Sequence, residues 1–153
     1  DSAIGSYGAM GDDIVREHLF NDAFVLLVEC LHPMPDGASR EALQQTHYVV
    51  VGESPDTEQL MADLGLSRQI RVRTSFYLSV PALLRGSGLA VWLPRSVAAT
   101  FVALGEYRIV TPGTRQRAVA INVFRHPRAM LDPALEWMRQ QILDTLRGPT
   151  EAR

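Results

Sequence analysis

Lysine is absent from the sequence, and all 15 positively charged side chains are arginines. They are scattered along the chain, and 17 acidic residues bring the net charge to -2. A surface that binds nucleic acid is usually plainly basic. The charge pattern therefore argues against a DNA- or RNA-binding surface on this chain.

Cysteine and long apolar runs are also scarce. The one cysteine, Cys30, excludes an intrachain disulfide and a Cys-based zinc site, and a reducing cytoplasm is its simplest location. No apolar run approaches the ~20 residues that span a bilayer, so we expect no membrane partner. The four histidines lack the spacing of metal ligands. Because no nucleophile or acid–base pair stands out either, we expect no metal, no cofactor and no enzymatic activity.

The glycine clusters do not form a phosphate-binding loop. Such a loop needs a strand, then glycines, then a helix, whereas Gly86-Ser87-Gly88 precedes a predicted strand. This segment predicts a turn at the end of a helix. "GSYGAMG", residues 5–11, follows a short strand without a helical pattern after it, and we interpret it as a loop that lines a cleft.

Predicted strands and helices alternate along most of the chain, which is typical of an α/β fold with a largely parallel sheet. Two long strands, near residues 19–30 and 117–125, bracket a block of domain size. The opening "DSAIG" is predicted as a strand entering mid-fold. We therefore expect the chain to be a piece of a longer protein.

Three helices carry clear boundary signals. In "SPDTEQLMADLG", Ser54 is a candidate cap and Gly65 a stop. In "SFYLSVPALLRG", Ser75 is a candidate cap, Pro81 predicts an irregular first turn, and one side is apolar. The predicted apolar side comprises Leu78, Ala82 and Leu83.

The last predicted helix begins at the cap Asp132 and ends at Gly148-Pro149. Its predicted buried stripe comprises Leu131, Leu135, Met138, Ile142 and Leu146. Cys30 is predicted to be an inert core thiol, and Trp92 and Trp137 to be packing residues.

Two long segments together resemble one protein family. "TSFYLSVPALLRGSGLAVWLPRSVA" and "VAINVFRHPRAMLDPALEWMRQQI" resemble the effector-binding domain of LysR-type transcriptional regulators, and "DSAIG" and "LFNDAFVLLVECLHP" match its first crossover. The resemblance covers essentially all of the chain. Through "AINVFRHPRAMLDPALEWMRQ" it is strongest to the branch that regulates aromatic degradation and nodulation.

The resemblance implies a type 2 periplasmic-binding-protein-like fold, with two Rossmann-like α/β lobes joined by two crossover strands. Residues 1–20 and 118–153 would form a partial lobe I, and residues 21–117 would form lobe II. The DNA-binding domain and the first part of lobe I would lie outside this chain.

The implied function is that of an inducer-sensing domain. A small effector, an aromatic acid or a phenol, would bind in the cleft between the lobes and control the conformation of a DNA-bound homodimer or homotetramer in the cytoplasm. DNA would be contacted only through the missing domain. A lobe of a transport-type solute-binding protein is the alternative, and a small α/β enzyme a more distant one.

The resemblance also implies a set of effector-binding residues. Thr74, Ser75 and Phe76 would offer hydroxyls and N–H groups at a helix start, which suit an anionic or polar group. Asp22 would suit a phenolic O–H. The remaining members are Arg95 and Ser96 after the Leu-Pro pair, and Ile121 and Phe124 as an apolar wall, with Ser54 as a weaker candidate.

Each of these residues also has a purely structural interpretation. Ser54, Ser75 and Ser96 are suited to helix starts. Phe76 and Phe124 are suited to the core. Asp22 is suited to a turn cap or to a pair with an arginine such as Arg16. The sequence leaves these alternatives open.

Overall fold

The computed structural model describes residues 2–6, 11, 13–52, 55–113 and 118–147. The strands are β1 (Ser2–Gly5), β2 (Val15–Glu29), β3 (His47–Val51), β4 (Ile70–Thr74), β5 (Leu89–Pro94), β6 (Tyr107–Val110) and β7 (Ala118–Arg125). The helices are α1 (Arg40–Gln45), α2 (Pro55–Asp63), α3 (Val80–Leu84), α4 (Arg95–Val102) and α5 (Pro133–Arg147). Short 3₁₀ turns cover Ser67–Gln69, Tyr77–Ser79 and Pro127–Leu131.

The chain divides into two compact units, and β2 and β7 each contribute residues to both. The first unit is Asp1–Asn21 with Ala120–Arg153, and the second is Asp22–Val119. These boundaries differ by one and two residues from those expected from the sequence. The assignment of the units to lobes I and II stays a prediction.

The second unit is a five-stranded sheet with helices on its faces. Its strand order is β6-β2-β5-β3-β4, in which β3, β4 and β5 are parallel and β2 is antiparallel to both of its neighbours. The β-branched residues of "HYVVV" favour β3, which is buried from Tyr48 to Val51. In the sheet, β4 lies on one side of β3 and β5 lies on the other. The chain therefore changes direction across the sheet after β4, and the strand order reverses beside β3.

One face of this sheet packs against α3 and α4. Val80 and Leu84 of α3 and Ala98 and Phe101 of α4 join one core cluster with strand residues. The strand residues of this cluster include Val25, Leu27, Val49, Val51, Val91 and Leu93. Alternate strand residues point to the opposite face, where the Tyr48 hydroxyl donates a hydrogen bond of 2.7 Å to the Leu43 carbonyl of α1.

The apolar side predicted in "SFYLSVPALLRG" is right for Leu83, which packs against the core, and wrong for Leu78 and Ala82, which are exposed. The segment is a 3₁₀ turn followed by the single-turn helix α3, with Pro81 near its start. This change of winding shifts the inward positions to Val80 and Leu84, which are fully buried, and leaves Leu78 89% exposed. The glycine turn after α3 is confirmed, since Gly86 and Gly88 have φ of 63° and 67°.

The first unit contains β1, β7 and the start of β2, with α5 packed on them. β1 pairs antiparallel with β7, from Ser2 opposite Arg125 to Gly5 opposite Asn122. Its core joins Leu19, Val123 and Leu143, with Ile121 and Ile142 packed against them. Asp132 caps α5 as predicted, because its Oδ1 accepts a 2.9 Å hydrogen bond from the Ala134 N–H.

Three packing predictions were wrong in whole or in part. In the predicted stripe of α5, Leu135 and Ile142 are half-buried and Ile142 packs against the core, whereas the fully buried residue is Leu143. The other three members of the stripe are exposed: Leu131, Met138 and Leu146. Trp137 is 67% exposed, because at 3.6 residues per turn it lies about 120° around the helix from the buried Leu143. Cys30 is exposed because β2 ends at Glu29 and the chain then turns away from the sheet. Trp92 is buried as predicted. The loop at residues 7–10, Ser54 and the helix stop at Gly148-Pro149 lie outside the described residues.

An ion-pair network in the first unit predicts acid sensitivity. Hydrogen bonds from Arg139 and then from Arg125 hold the pKa of the Glu136 carboxyl below its ordinary value of 4.5. A carboxyl with a lowered pKa stabilises the fold fully above pH 4.5, and this stabilisation is lost as the pH falls through the folded-state pKa. Glu136→Gln is therefore expected to lower the melting temperature at neutral pH, with a difference from wild type that shrinks as the pH falls below 4.5.

The test is a series of thermal melts between neutral and acid pH. Asp144→Asn, an exposed change on the same helix, is the control for the loss of one negative charge. A difference between Glu136→Gln and wild type that is constant with pH would contradict the role of the ionised Glu136.

Candidate functional site

The parallel strands of the second unit end side by side at one edge of its sheet. β3 ends at Val51, β4 at Thr74 and β5 at Pro94, and the antiparallel β2 enters the same edge near Asp22. We call this the carboxyl edge. In open α/β sheets, ligands bind outside the carboxyl ends of the strands where the strand order reverses. Here that position is between β3 and β5.

An open groove of about 630 Å³ lies at the carboxyl edge, lined by Gly52, Glu58, Arg73, Thr74 and Ser75. Arg73 Nη1 lies 3.3 Å from Glu58 Oε1, and both side chains are more than half exposed. An exposed ion pair of this kind is weak, so either charge remains accessible to a ligand. The groove therefore offers both an anion-binding and a cation-binding group.

Hydrogen bonds hold the wall of the groove at the end of β4. The Gly52 N–H donates to the Thr74 carbonyl at 2.8 Å, which ties the end of β3 to the end of β4. Gly52 has a φ of +68°, a conformation that glycine adopts without strain. Thr74 Oγ1 accepts from the Phe76 N–H at 3.2 Å and lies 2.9 Å from Ser79 Oγ. Thr74 thus fixes the turn in which Ser75 is exposed.

An apolar strip continues from the groove. Phe76 is 72% exposed, Tyr77 42% and Leu78 89%, and they directly follow Ser75. We call Phe76–Leu78 the apolar lip. Phe76 is therefore not a core aromatic, and it directly follows Ser75, which lines the groove together with Arg73. This arrangement suits a small ligand with one charged end and one apolar end.

Three other predicted residues, Asp22, Arg95 and Ser96, form a second cluster on the same edge. The carboxylate of Asp22 accepts hydrogen bonds from the N-terminus of α4. Asp22 Oδ1 accepts from the Ala23 N–H at 2.7 Å and from the Arg95 N–H at 3.1 Å. Asp22 Oδ2 accepts from the Ser96 N–H at 3.1 Å and from the Ser96 hydroxyl at 2.7 Å. Pro94, the residue before α4, makes no side-chain cap bond. The carboxylate of Asp22, on the neighbouring strand β2, caps the helix instead.

The remaining predicted residues, Ile121 and Phe124, lie in the first unit. Phe124 is 4% exposed, and Ile121 is half-buried against the core of that unit. Their burial agrees with the structural interpretation of Phe124 as a core aromatic.

Sequence reasoning missed Gly52, Glu58 and Arg73. Gly52 directly follows the end of β3, which is where an α/β sheet places ligand-binding turns. Arg73 is one of two arginines in the alternating "RVRT" pattern of β4, and that pattern alone does not distinguish a ligand-binding arginine from a solvated one. Its pairing with Glu58 joins a strand to a helix 15 residues away in the chain and leaves no local signal.

Comparison with known proteins places the chain in a family. The LysR substrate binding domain matches residues 1–147. The HTH-type transcriptional regulator SyrM of Rhizobium meliloti is 24% identical over 148 residues, which are 93% of this chain and 45% of that protein. The chain thus spans less than half the length of this curated relative.

Solved structures show the same fold. A probable transcriptional regulator of Pseudomonas aeruginosa, PA0477, superimposes with a TM-score of 0.77 at 21% identity, covering 95% of this chain and 49% of that one. The effector binding domain of QuiR in complex with shikimate gives a TM-score of 0.76 at 17% identity, covering 96% and 72%. The fold is the type 2 periplasmic-binding-protein-like fold of these regulatory domains, and the chain belongs to the LysR substrate-binding domain family.

Proposed function

We propose that this chain senses a small effector for a LysR-type transcriptional regulator in the bacterial cytoplasm. The observation that carries the proposal is the groove at the carboxyl edge, which an accessible arginine lines and from which Ser75 leads directly into the exposed apolar lip. Membership of the LysR family supports it, and so does the regulator SyrM among the relatives. QuiR, a structural neighbour, binds shikimate in its effector binding domain.

The effector in this proposal is an aromatic acid or a related phenol. The carboxylate of the acid pairs with Arg73. The hydrogen bond from Arg73 to Glu58 uses one of five guanidinium N–H donors, so the others remain for the ligand. Thr74 and Ser75 line the polar end of the groove, and Phe76 offers an aromatic face for the ring of the effector. Asp22, Arg95 and Ser96 lie along the same edge, and their part in effector binding, like that of Ile121 and Phe124, stays a prediction.

Effector binding would control transcription by shifting a conformational equilibrium. A ligand can shift two states only by the difference between its affinities for them. We propose that the responding assembly is a homodimer or homotetramer and that DNA is held by a domain outside this chain. Among the helices that the structure describes, none combines the length and the hydrophobicity of a membrane-spanning segment.

The test is binding of benzoate, 4-hydroxybenzoate, phenol and shikimate, measured by thermal shift and calorimetry. A ligand of the folded state raises the melting temperature. Replacing Arg73 by glutamine removes a charge-assisted hydrogen bond worth about 1.5–3 kcal/mol, so affinity for the bound acid is expected to fall about 10- to 100-fold. The affinity for phenol, which has no carboxylate, is expected to fall much less.

Arg71→Gln is the matched control. Arg71 is an exposed arginine two residues earlier on the same strand, and it contacts His47 at 2.8 Å instead of lining the groove. Equal losses for the two variants would point to general charge rather than to the groove. A rise in melting temperature with amino acids and with none of the four compounds would overturn the aromatic effector.

A further inference from the structure

The groove at the carboxyl edge contains an acidic side chain as well as a basic one. Glu58, in the first turn of α2, and Arg73, on β4, both line it. Arg73 Nη1 donates to Glu58 Oε1 at 3.3 Å, which is longer than is usual for an N–H···O bond. The Arg73 side chain is 55% exposed and that of Glu58 56%. A ligand that enters the groove therefore meets both groups.

The second arginine of β4 does not change the charge of the groove. Arg71 and Arg73 are the exposed residues of this strand, but Arg71 Nη2 lies 2.8 Å from His47 Nε2, at the start of β3. Among the described residues that line the groove, Glu58 and Arg73 carry charge, and their charges cancel.

An acid that pairs with Arg73 comes close to Glu58. A carboxylate bound to the remaining N–H donors of Arg73 lies roughly 6 Å from the Glu58 carboxylate, because each hydrogen bond to the guanidinium spans about 3 Å. At this separation the repulsion between two negative charges lowers affinity about threefold in water and further in the lower dielectric of a protein surface. A simple acid such as benzoate therefore matches Arg73 but not Glu58.

A hydroxyl on the acid replaces this repulsion by attraction. The bond from Arg73 occupies one of the about four acceptor positions of the Glu58 carboxylate, so the carboxylate can accept a further donor. A phenolic hydroxyl has a pKa of about 10 and keeps its proton at neutral pH. Its hydrogen bond to an ionised carboxylate belongs to the strong, charge-assisted class.

We infer that the effector carries both groups on one ring: its carboxylate pairs with Arg73 and its hydroxyl donates to Glu58. This inference rests on the proposed function and narrows its substrate class from aromatic acids or phenols to hydroxylated aromatic acids. Because Glu58 and Arg73 are adjacent, the hydroxyl is expected close to the carboxylate, in the meta position. An ortho hydroxyl would bond to the carboxylate of its own molecule instead.

The probes are benzoate, 3-hydroxybenzoate and 3-methoxybenzoate, with affinities measured by calorimetry. The methoxy compound has the same ring oxygen but no O–H to donate. Wild type is expected to bind 3-hydroxybenzoate about tenfold more tightly than benzoate, because a hydrogen bond to a charged group is gained. It is expected to bind 3-methoxybenzoate no more tightly than benzoate.

Two variants of Glu58 test its role. Glu58→Gln keeps the size and one acceptor oxygen but removes the charge. It is expected to raise the affinity for benzoate about threefold and to reduce the preference for 3-hydroxybenzoate to about threefold. Glu58→Ala also removes the acceptor, and the preference is expected to vanish. Because Glu58 is an exposed residue, both variants are expected to fold, which thermal melts check.

Asp63→Asn is the matched control, because it removes a negative charge from the other end of α2. Asp63 is the last residue of this helix and accepts a hydrogen bond of 2.7 Å from Gln59. Its replacement is expected to leave the ratio of the affinities for the two acids unchanged. An equal rise in affinity for benzoate and 3-hydroxybenzoate in the Glu58 variants overturns the inference, because Glu58 would then only compete for Arg73. An equal preference of wild type for the methoxy and hydroxy compounds overturns it as well.

Failure of the proposed function gives a different result. If wild type binds no aromatic acid, the proposed function fails and the inference fails with it. If benzoate binds and loses affinity in Arg73→Gln, but the ratio of the two acids does not respond to Glu58, the proposed function stands and the inference fails.

Discussion

Replacing Leu84 by alanine is expected to lower the free energy of unfolding by about 3 kcal/mol, within the 2–5 kcal/mol that buried Leu-to-Ala changes cost. Leu84 is fully buried between α3 and the sheet, in the cluster with Val80 and Phe101. Truncation removes apolar contacts and leaves a cavity that a closely packed core fills only in part. The measurement is urea unfolding followed by circular dichroism.

Leu78→Ala is the matched control for this prediction. Leu78 is in the same segment but is 89% exposed, so its truncation is expected to change stability by less than about 0.5 kcal/mol. The pair of variants distinguishes the observed arrangement from a continuous helix with Leu78 inside. Equal losses for both variants, or a larger loss for Leu78→Ala, would contradict the 3₁₀ turn before α3.

Replacing Arg125 by alanine is expected to cost about 3 kcal/mol of stability, because truncating this buried side chain removes its packing and its ion pairs and leaves a cavity. The Arg125 side chain is 5% exposed, with Nη1 at 2.9 Å from Glu136 and Nη2 at 3.9 Å from Glu17. Arg139 also contacts both glutamates and remains paired with them, which places the expected loss in the lower half of the 2–5 kcal/mol range of large-to-small core changes.

The measurement is urea unfolding at neutral pH, with Arg128→Ala as the control. Arg128 is an exposed arginine three residues further along, and its loss is expected to change stability by less than about 0.5 kcal/mol. A loss of less than about 1 kcal/mol for Arg125→Ala would mean that Arg139 alone neutralises both glutamates.

The α/β alternation and the helix and strand boundaries with strong local signals could be predicted from the sequence. Asp132 before Pro133 marks the start of α5, and Gly86-Ser87-Gly88 marks the end of α3, because caps and glycine turns depend on residues close in the chain. The sequence determines less well which side of a short helix faces the core. In α3 a single turn follows a 3₁₀ turn, so a periodicity of 3.6 applied from Leu78 points to the wrong side.

The candidate site depends on contacts that no local pattern contains. Asp22 and Ser96 are 74 residues apart in the chain, and only the pairing of β2 with β5 brings them together. The family resemblance selected both positions, but not their bond to each other. The same resemblance gave Thr74–Phe76, whereas Arg73 needed the shape of the groove to be recognised.

The position of Cys30 makes the protein convenient for spectroscopic labelling. Cys30 is the one cysteine of the chain and is exposed just beyond the end of β2. Asp22 lies eight residues earlier on that strand, so at about 3.3 Å per residue the thiol is roughly 26 Å from the carboxyl edge. A maleimide fluorophore or nitroxide would attach at a single place, remote from the groove. Any change in its signal on adding an aromatic acid would then report a rearrangement transmitted through the sheet rather than direct contact with the ligand.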